Sequence, residues 1–295
     1  MFLDSLNCLL CLLESRLREL YKTCGLCPDI VKRFLRELSE LDLEKRTNVF
    51  IHSFDLVVKL SGKEDPHREE KLNICEKFMK IYEVVRESIR SIDDAIRFAV
   101  NANLLDVEMH DYRPDLSNVY NILMRDVKTL ERDIKVRDVL KKCRRVCYVL
   151  DNSGEHIFDI ALADMLKKDH DVILLVREYP YEIDVTREIV EATLMRLNMK
   201  FEMIEVCGRC PPILYAVKEF DEPGTVIISK GIANLEAYID WCREEHSCPI
   251  LFLLVAKCGP IARFLGVEKG SGVIATSDYI NFRARTYSQY GEARS

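Results

Sequence analysis

Val146-Cys147-Tyr148-Val149-Leu150 runs directly into Asp151-Asn152-Ser153-Gly154-Glu155. An unbroken apolar run that stops at an acid, an amide and a glycine reads as a strand covered on both faces, ending in a turn before a helix. The form recurs downstream. Val172 to Val176 leads within a few residues to Asp184, Thr225-Val226-Ile227-Ile228-Ser229 runs into Lys230-Gly231, and Leu251 to Ala256 runs into Lys257. Helical spacing fills the intervals at 156–168, 186–197, 211–219, 235–242 and 260–265, with further strands at 200–206 and 273–275. Such alternation predicts an α/β fold with a parallel sheet over residues 141–295. Ligands of open parallel sheets bind beyond the carboxyl ends of the strands, so these acids and lysines are expected at one edge.

Upstream the pattern is helical. Val31, Phe34, Leu35, Leu38 and Leu41 recur at three-four spacing, as do Leu72, Ile74, Cys75, Phe78 and Ile81, and then Ile92, Ala95, Ile96, Ala99 and Val100. Residues 1–140 are therefore read as an all-helical domain almost without strands.

With 43 basic and 49 acidic residues the formal charge is -6, so no basic field argues for nucleic acid. No apolar run approaches the ~20 residues of a membrane span. The apolar stretch Leu9 to Leu13 is flanked by Asp4, Glu14 and Arg16, unlike a secretory leader, and a cytoplasmic location is expected. The 12 cysteines include Cys-x-x-Cys spacing at Cys8/Cys11, Cys24/Cys27 and Cys207/Cys210. Cys8, Cys11, Cys24 and Cys27 could supply four thiolates to a structural zinc. Against that, Leu9 to Tyr21 reads as helix, whereas zinc knuckles hold their pairs on turns; plain thiols are the competing reading.

At the expected sheet edge, a carboxylate closing a buried strand is costly unless a cation meets it. Asp151 and Asn152 are hard oxygen ligands that suit magnesium or manganese. Asp184 is a further ligand candidate, with Glu182 competing for that place. Gly154 permits close backbone approach, and the N–H groups after Ser153 at the helix start could cradle an anion. Lys230 and Lys257 would meet phosphate oxygens. Each feature has a bland counterpart, since Asp and Asn cap helices and lysines line surfaces, but their coincidence at carboxyl strand ends favours one cation-plus-anion site. There is no dinucleotide fingerprint, no Walker loop and no nucleophile elbow. His156 reads as an ordinary helix residue.

Asp151-Asn152-x-Gly154-Glu155 with Asp159, Lys230-Gly231-x-x-Asn234-x-Glu236, and Lys257-Cys258 followed by Leu265-Gly266-Val267 together resemble the metal-dependent damage-control phosphatase family, formerly domain of unknown function 89. Cys8-x-x-Cys11 is similar to the cysteine pair of its microbial branch, and Ala102-Asn103-Leu104-Leu105-Asp106 to its Gly-Asn-x-Ile-Asp segment. The resemblance implies a helical domain packed on a Rossmann-like α/β domain, with Asn103 and Asp106 facing the cleft as catalytic groups. It further implies metal ligation by Asp151, Asn152 and Asp184, a catalytic Asp151, and phosphate contact by Lys257. Ser153, Gly154, Glu155, Lys230 and Asn234 would complete the substrate site. Members hydrolyse phosphorylated metabolites, including sugar phosphates, with magnesium, manganese, cobalt or nickel. The chain departs from the family pattern at Ile183, Ile232, Ala102 and the stretch Cys207-Gly208-Arg209-Cys210-Pro211-Pro212.

A rival reading is a non-catalytic protein that binds metal and metabolite, its cysteines serving zinc or a partner. A methyltransferase ranks lower, because the first strand lacks a glycine-rich loop and lysines suit phosphate better than a sulfonium group.

Overall fold

The computed structural model describes residues 5–25, 27–41, 45–105, 118–242 and 246–291. Helices lead: α1 (Ser5–Cys24), α2 (Pro28–Ser39), α3 (Arg46–Ser61), α4 (Arg68–Val85) and α5 (Ile92–Ala102), followed by a 3-10 turn at Asn103–Leu105 and by α6 (Val119–Leu123). Then come β1 (Val127–Leu130), α7 (Val136–Lys142), β2 (Arg145–Val149), α8 (His156–Leu166), β3 (Asp171–Arg177), α9 (Arg187–Leu197) and β4 (Glu202–Val206). The chain continues through α10 (Pro212–Glu219), β5 (Thr225–Lys230), α11 (Ile232–Trp241), β6 (Ile250–Val255), α12 (Gly259–Leu265), β7 (Gly272–Thr276) and α13 (Ser277–Gly291). Ends follow local chemistry. The Ser91 hydroxyl caps α5 by accepting from the Asp94 amide at 3.1 Å. Gly62, Asn198 and Gly266 stop α3, α9 and α12 in left-handed conformations.

The strands form one seven-stranded sheet in the order β1-β7-β6-β5-β2-β3-β4. Alternate residues of β2 serve opposite layers, as the pleat requires. Cys147 and Val149 pack with Ile213, Leu235, Phe252 and Ile261 under α10 to α13. Val146 and Tyr148 pack with Ala99, Ile160 and Val190 under α5, α8 and α9. Both faces are covered, which is why the strands read as continuous apolar runs. Among the described residues no helix is long and apolar enough to cross a membrane.

The expected α/β fold is found, with two differences in detail. The sheet is not wholly parallel: β7 runs antiparallel to β6, with Leu253 opposite Ile274. The region before residue 140 also contributes a strand, since β1 pairs in parallel with β7. As an edge strand with Lys128 and Thr129 exposed, β1 lacks the apolar run that marks buried strands. The division at 140/141 therefore does not separate two cores, because Ala95, Ala99 and Val100 of α5 lie in the same cluster as β2 and β3. The helices α1 to α3 do hold a small cluster of their own, built on Leu20, Phe34 and Val57.

Candidate active site

Strand order reverses at β2, whose neighbours are β3 on one side and β5 on the other. A crevice opens at the carboxyl ends of strands at such a point. Asp151 leaves β2 there, and Lys230-Gly231 ends β5 beside it. A Cβ on Gly231, which has φ +78, would lie 1.8 Å from Asp151 Oδ2. Only glycine fits, so bare peptide presses against the carboxylate. Gly154 is equally confined: at φ +88, a Cβ would come within 2.6 Å of Ile74 on α4.

The loop after β3 returns to clip onto this turn. Ser153 N–H donates to Ile183 O and Val185 N–H to Asp151 O, each at 2.8 Å. Asn152 and Asp184 face each other as an isolated antiparallel bridge. The two acids expected to share an ion are thus brought together by backbone pairing. Asn152 Nδ2 donates to Asp151 Oδ2 at 3.1 Å, and Arg177 Nε donates to Asp184 Oδ2 at 2.5 Å.

Electrostatics here favour a cation. Burial pushes the Asp151 carboxyl well above its usual range, Asp184 and Glu155 push it further, and Lys230 and Lys257 pull it back. The Asp184 carboxyl is likewise raised by burial, against the opposing pull of Arg177. Crowded buried carboxylates ionise together only when positive charge joins them. Hard oxygen donors from Asp151, Asn152 and Asp184 fit a divalent ion of the magnesium or manganese class. Lys257, half-buried just past β6, lies close enough to lower the Asp151 carboxyl by its charge.

Other expected residues take different roles. Lys230 is fully buried, with Nζ donating to Asp159 Oδ1 at 2.7 Å and Ala99 O at 2.9 Å. Burial disfavours its charge, but Asp159 and Glu155 outweigh that and hold it protonated. It is an internal counter-ion rather than a phosphate ligand. Asn234 is consumed at both ends, donating to Lys230 O at 2.9 Å and accepting from Ile213 N–H at 3.3 Å. The expected N–H cradle is also spoken for. Asn152 N–H reaches Glu155 Oε1 at 3.3 Å, Ser153 N–H is in the clip, and Gly154 N–H donates to His156 Nδ1 at 3.1 Å. Burial and Lys230 depress His156 to about 3, so the ring is neutral. With Nδ1 accepting, Nε2 carries the proton toward Thr193 Oγ1, 2.8 Å away.

Asn103 does arrive in the site. Its Nδ2 donates to Glu155 Oε2, while its buried Oδ1 and the buried Ser153 Oγ have no hydrogen-bond partner among the described residues. Asp106 lies outside the described residues. Glu182 does not compete for the ion: it stands at φ +41 and accepts from Arg16 Nη1 at 2.6 Å. The four-cysteine zinc is not formed. Cys8 and Cys24 lie sixteen residues apart on the one helix α1, roughly 24 Å at 1.5 Å per residue. Among the described residues no three His, Cys, Asp or Glu side chains converge to hold a metal.

Sequence reasoning missed the arginines. Arg177 closes β3 as the lysines close β5 and β6, and the same logic could have found it. Arg16 is fully buried on α1, with Nε on Ser53 at 2.9 Å and Nη2 on Tyr181 at 3.1 Å. Arg46 pairs with Glu236. Burial raises Glu236 to about 7 even though Arg46 opposes it.

The family model for the damage-control phosphatase ARMT1-like domain matches residues 5–273. Damage-control phosphatase PH1575 of Pyrococcus horikoshii is 28% identical over 222 residues, covering 72% of this chain and 75% of that protein. A damage-control phosphatase of Archaeoglobus fulgidus is 27% identical over 230 residues, covering 74% and 77%. The uncharacterized protein MJ0202 of Methanocaldococcus jannaschii is 25% identical over 231 residues, covering 73% and 75%. A crystal structure of a DUF89 family protein from P. horikoshii superimposes with a TM-score of 0.75 at 24% identity, covering 90% of this chain and 96% of that one, and shows the shared fold. These relatives support a phosphatase-type role. With helices and sheet alike inside the matched span, the chain belongs to the damage-control phosphatase family.

Proposed function

We propose that this protein is a divalent-cation-dependent phosphomonoesterase that hydrolyses small phosphorylated metabolites such as sugar phosphates. The observation that carries the reading is the backbone clip between 151–153 and 183–185, which seats Asp151, Asn152 and Asp184 together at the switch point of the sheet. Magnesium, manganese, cobalt or nickel would be held by those residues and, when bound, supplies Lewis-acid neutralisation of charge on the transferring phosphoryl group.

The chain's own groups do the rest. Lys257 contacts the phosphate oxygens from the end of β6. Glu155 fixes the Asn103 amide by accepting from its Nδ2, which leaves the buried Oδ1 unpartnered among the described residues. Lys230 neutralises Asp159 and Glu155 beneath the site, so the acid surplus at Asp151 and Asp184 is left to the cation. Preorganised charges of this kind lose none of their strength to reorganisation during reaction.

The test is phosphate release from a panel of sugar phosphates with each cation in turn. Asp151→Ala is expected to lose at least about 10²-fold in turnover, the scale of a lost transition-state contact, with its melting transition retained. Unchanged turnover in that variant overturns the proposal. Cation-dependent stabilisation of the wild-type protein without phosphate release from any substrate would favour the non-catalytic binder instead.

A further inference from the structure

The loop joining β4 to α10 carries chemistry that the phosphatase site does not use. Cys207 and Cys210 are both exposed free thiols, and Gly208-Arg209 form a tight turn between them. Gly208 stands at φ +68, a conformation that favours glycine and sharpens the reversal. A four-residue turn brings its first and last Cα within about 7 Å. A disulfide needs Cα atoms roughly 4.4–6.8 Å apart, a range that the span of such a turn overlaps. Arg209 between them is tied down on three sides. Its Nε donates to Pro180 O at 2.7 Å, its Nη1 to Asp55 Oδ1 of α3 at 2.6 Å, and its carbonyl accepts from Arg177 Nη1. Arg177 in turn holds Asp184.

We propose that Cys207 and Cys210 form a reversible thiol–disulfide site whose oxidation locks the turn anchoring Arg177 and Arg209. The oxidant is a small-molecule disulfide such as oxidised glutathione. One cysteine, as its thiolate, attacks a sulfur of that disulfide, giving a mixed disulfide and releasing one glutathione thiolate. The second cysteine thiolate then attacks the protein sulfur of the mixed bond. The Cys207–Cys210 bond forms, a second glutathione thiolate leaves, and the two thiol protons pass to solvent and end on glutathione. The dithiol is oxidised by two electrons and one glutathione disulfide is reduced to two thiols. The site stands independently of the phosphatase reading, because its chemistry needs neither cation nor phosphate.

Trypsin supplies the test, since it cuts after Arg209, between the two cysteines. The full chain is equilibrated with oxidised glutathione, alkylated, digested without reductant and mapped by mass spectrometry. The expected product is the peptide ending at Arg209 joined to the peptide beginning at Cys210, lighter by two hydrogens than the two free thiol peptides. Reductant should separate them. In Cys207→Ser, Cys210 is expected to retain glutathione, because no partner thiol displaces it. Glutathione carried singly on both cysteines of the wild-type chain, or no reaction at either while exposed Cys11 reacts, overturns the proposal. Loss of glutathione from Cys210 in Cys207→Ser as readily as in the wild-type chain would overturn the role given to Cys207.

Discussion

The sheet with its flanking helices and the three amino-terminal helices are held by different forces. In the first, Phe98 packs tilted and Tyr82 edge-on against Phe158 within an apolar cluster, with ring centroids 6.0 and 5.6 Å from Phe158. In the second, the private apolar cluster is small, and contact with the α/β region, besides Phe54 on Tyr181, runs through charged and polar pairs: Arg16 to Glu182, Arg46 to Glu236, Asp55 to Arg209, and Thr47 to Asp240. Apolar contacts are non-directional, whereas paired charges fix distance and angle. The seam beside the site is therefore built for alignment. Arg16 grips Glu182 two residues from Asp184, so α1 helps set where this proposed cation ligand stands.

Phe158→Ala should produce the largest change, about 3–5 kcal/mol by urea unfolding, because it empties the fully buried heart of the apolar layer. Arg16→Met tests the other regime. It leaves Glu19 and Glu182 without their guanidinium and should cost about 3 kcal/mol. Unlike Phe158→Ala, it should also lower cation affinity in a titration, through Asp184. Equal cation affinity in the two variants would erase the contrast between the regions.

His67, on the same seam, adds a pH signature. Burial opposes its charge, but the Glu19 carboxylate 3.7 Å from Nε2 and the Glu70 carboxylate bonded at 2.9 Å to Nδ1 outweigh burial and raise it to about 9. A folded-state value above the unfolded ~6.5 stabilises fully below that pH and is lost as pH rises through 9. The stability gap between wild type and His67→Gln should thus be about 2–3 kcal/mol at pH 6 and vanish above pH 9 in parallel urea melts. A gap that widens with pH would contradict the sign. The smallest effect belongs to Arg68→Ala, whose exposed pair with Glu188 should leave the unfolding midpoint in place.

Much of this was legible from residue order. Strands β2, β3, β5 and β6 stood out because both faces are covered and each reads as one apolar run. The edge strand β1 is four residues long with Lys128 and Thr129 exposed at its centre and gives no such signal. The antiparallel return of β7 was invisible because residue type does not encode strand direction. Asp151 and Asn152 were expected at the sheet edge from their place just after β2, and the clip brings Asp184, from the loop past β3, beside them. Lys230 was misjudged for the same reason: a lysine after a strand reads alike whether it meets a ligand or, as here, Asp159 one layer down. Arg16 and Glu182 are separated by 166 positions, and nothing local links them.

The clip between 151–153 and 183–185 is made of main-chain atoms, so the pairing itself does not depend on the identity of the side chains. Ile183 illustrates the point, because its contribution is a carbonyl that any residue would provide. If Asp151, Asn152 and Asp184 hold an ion as proposed, a change at position 183 can accordingly leave its seat standing, and divergent relatives can share a backbone device without sharing a sequence.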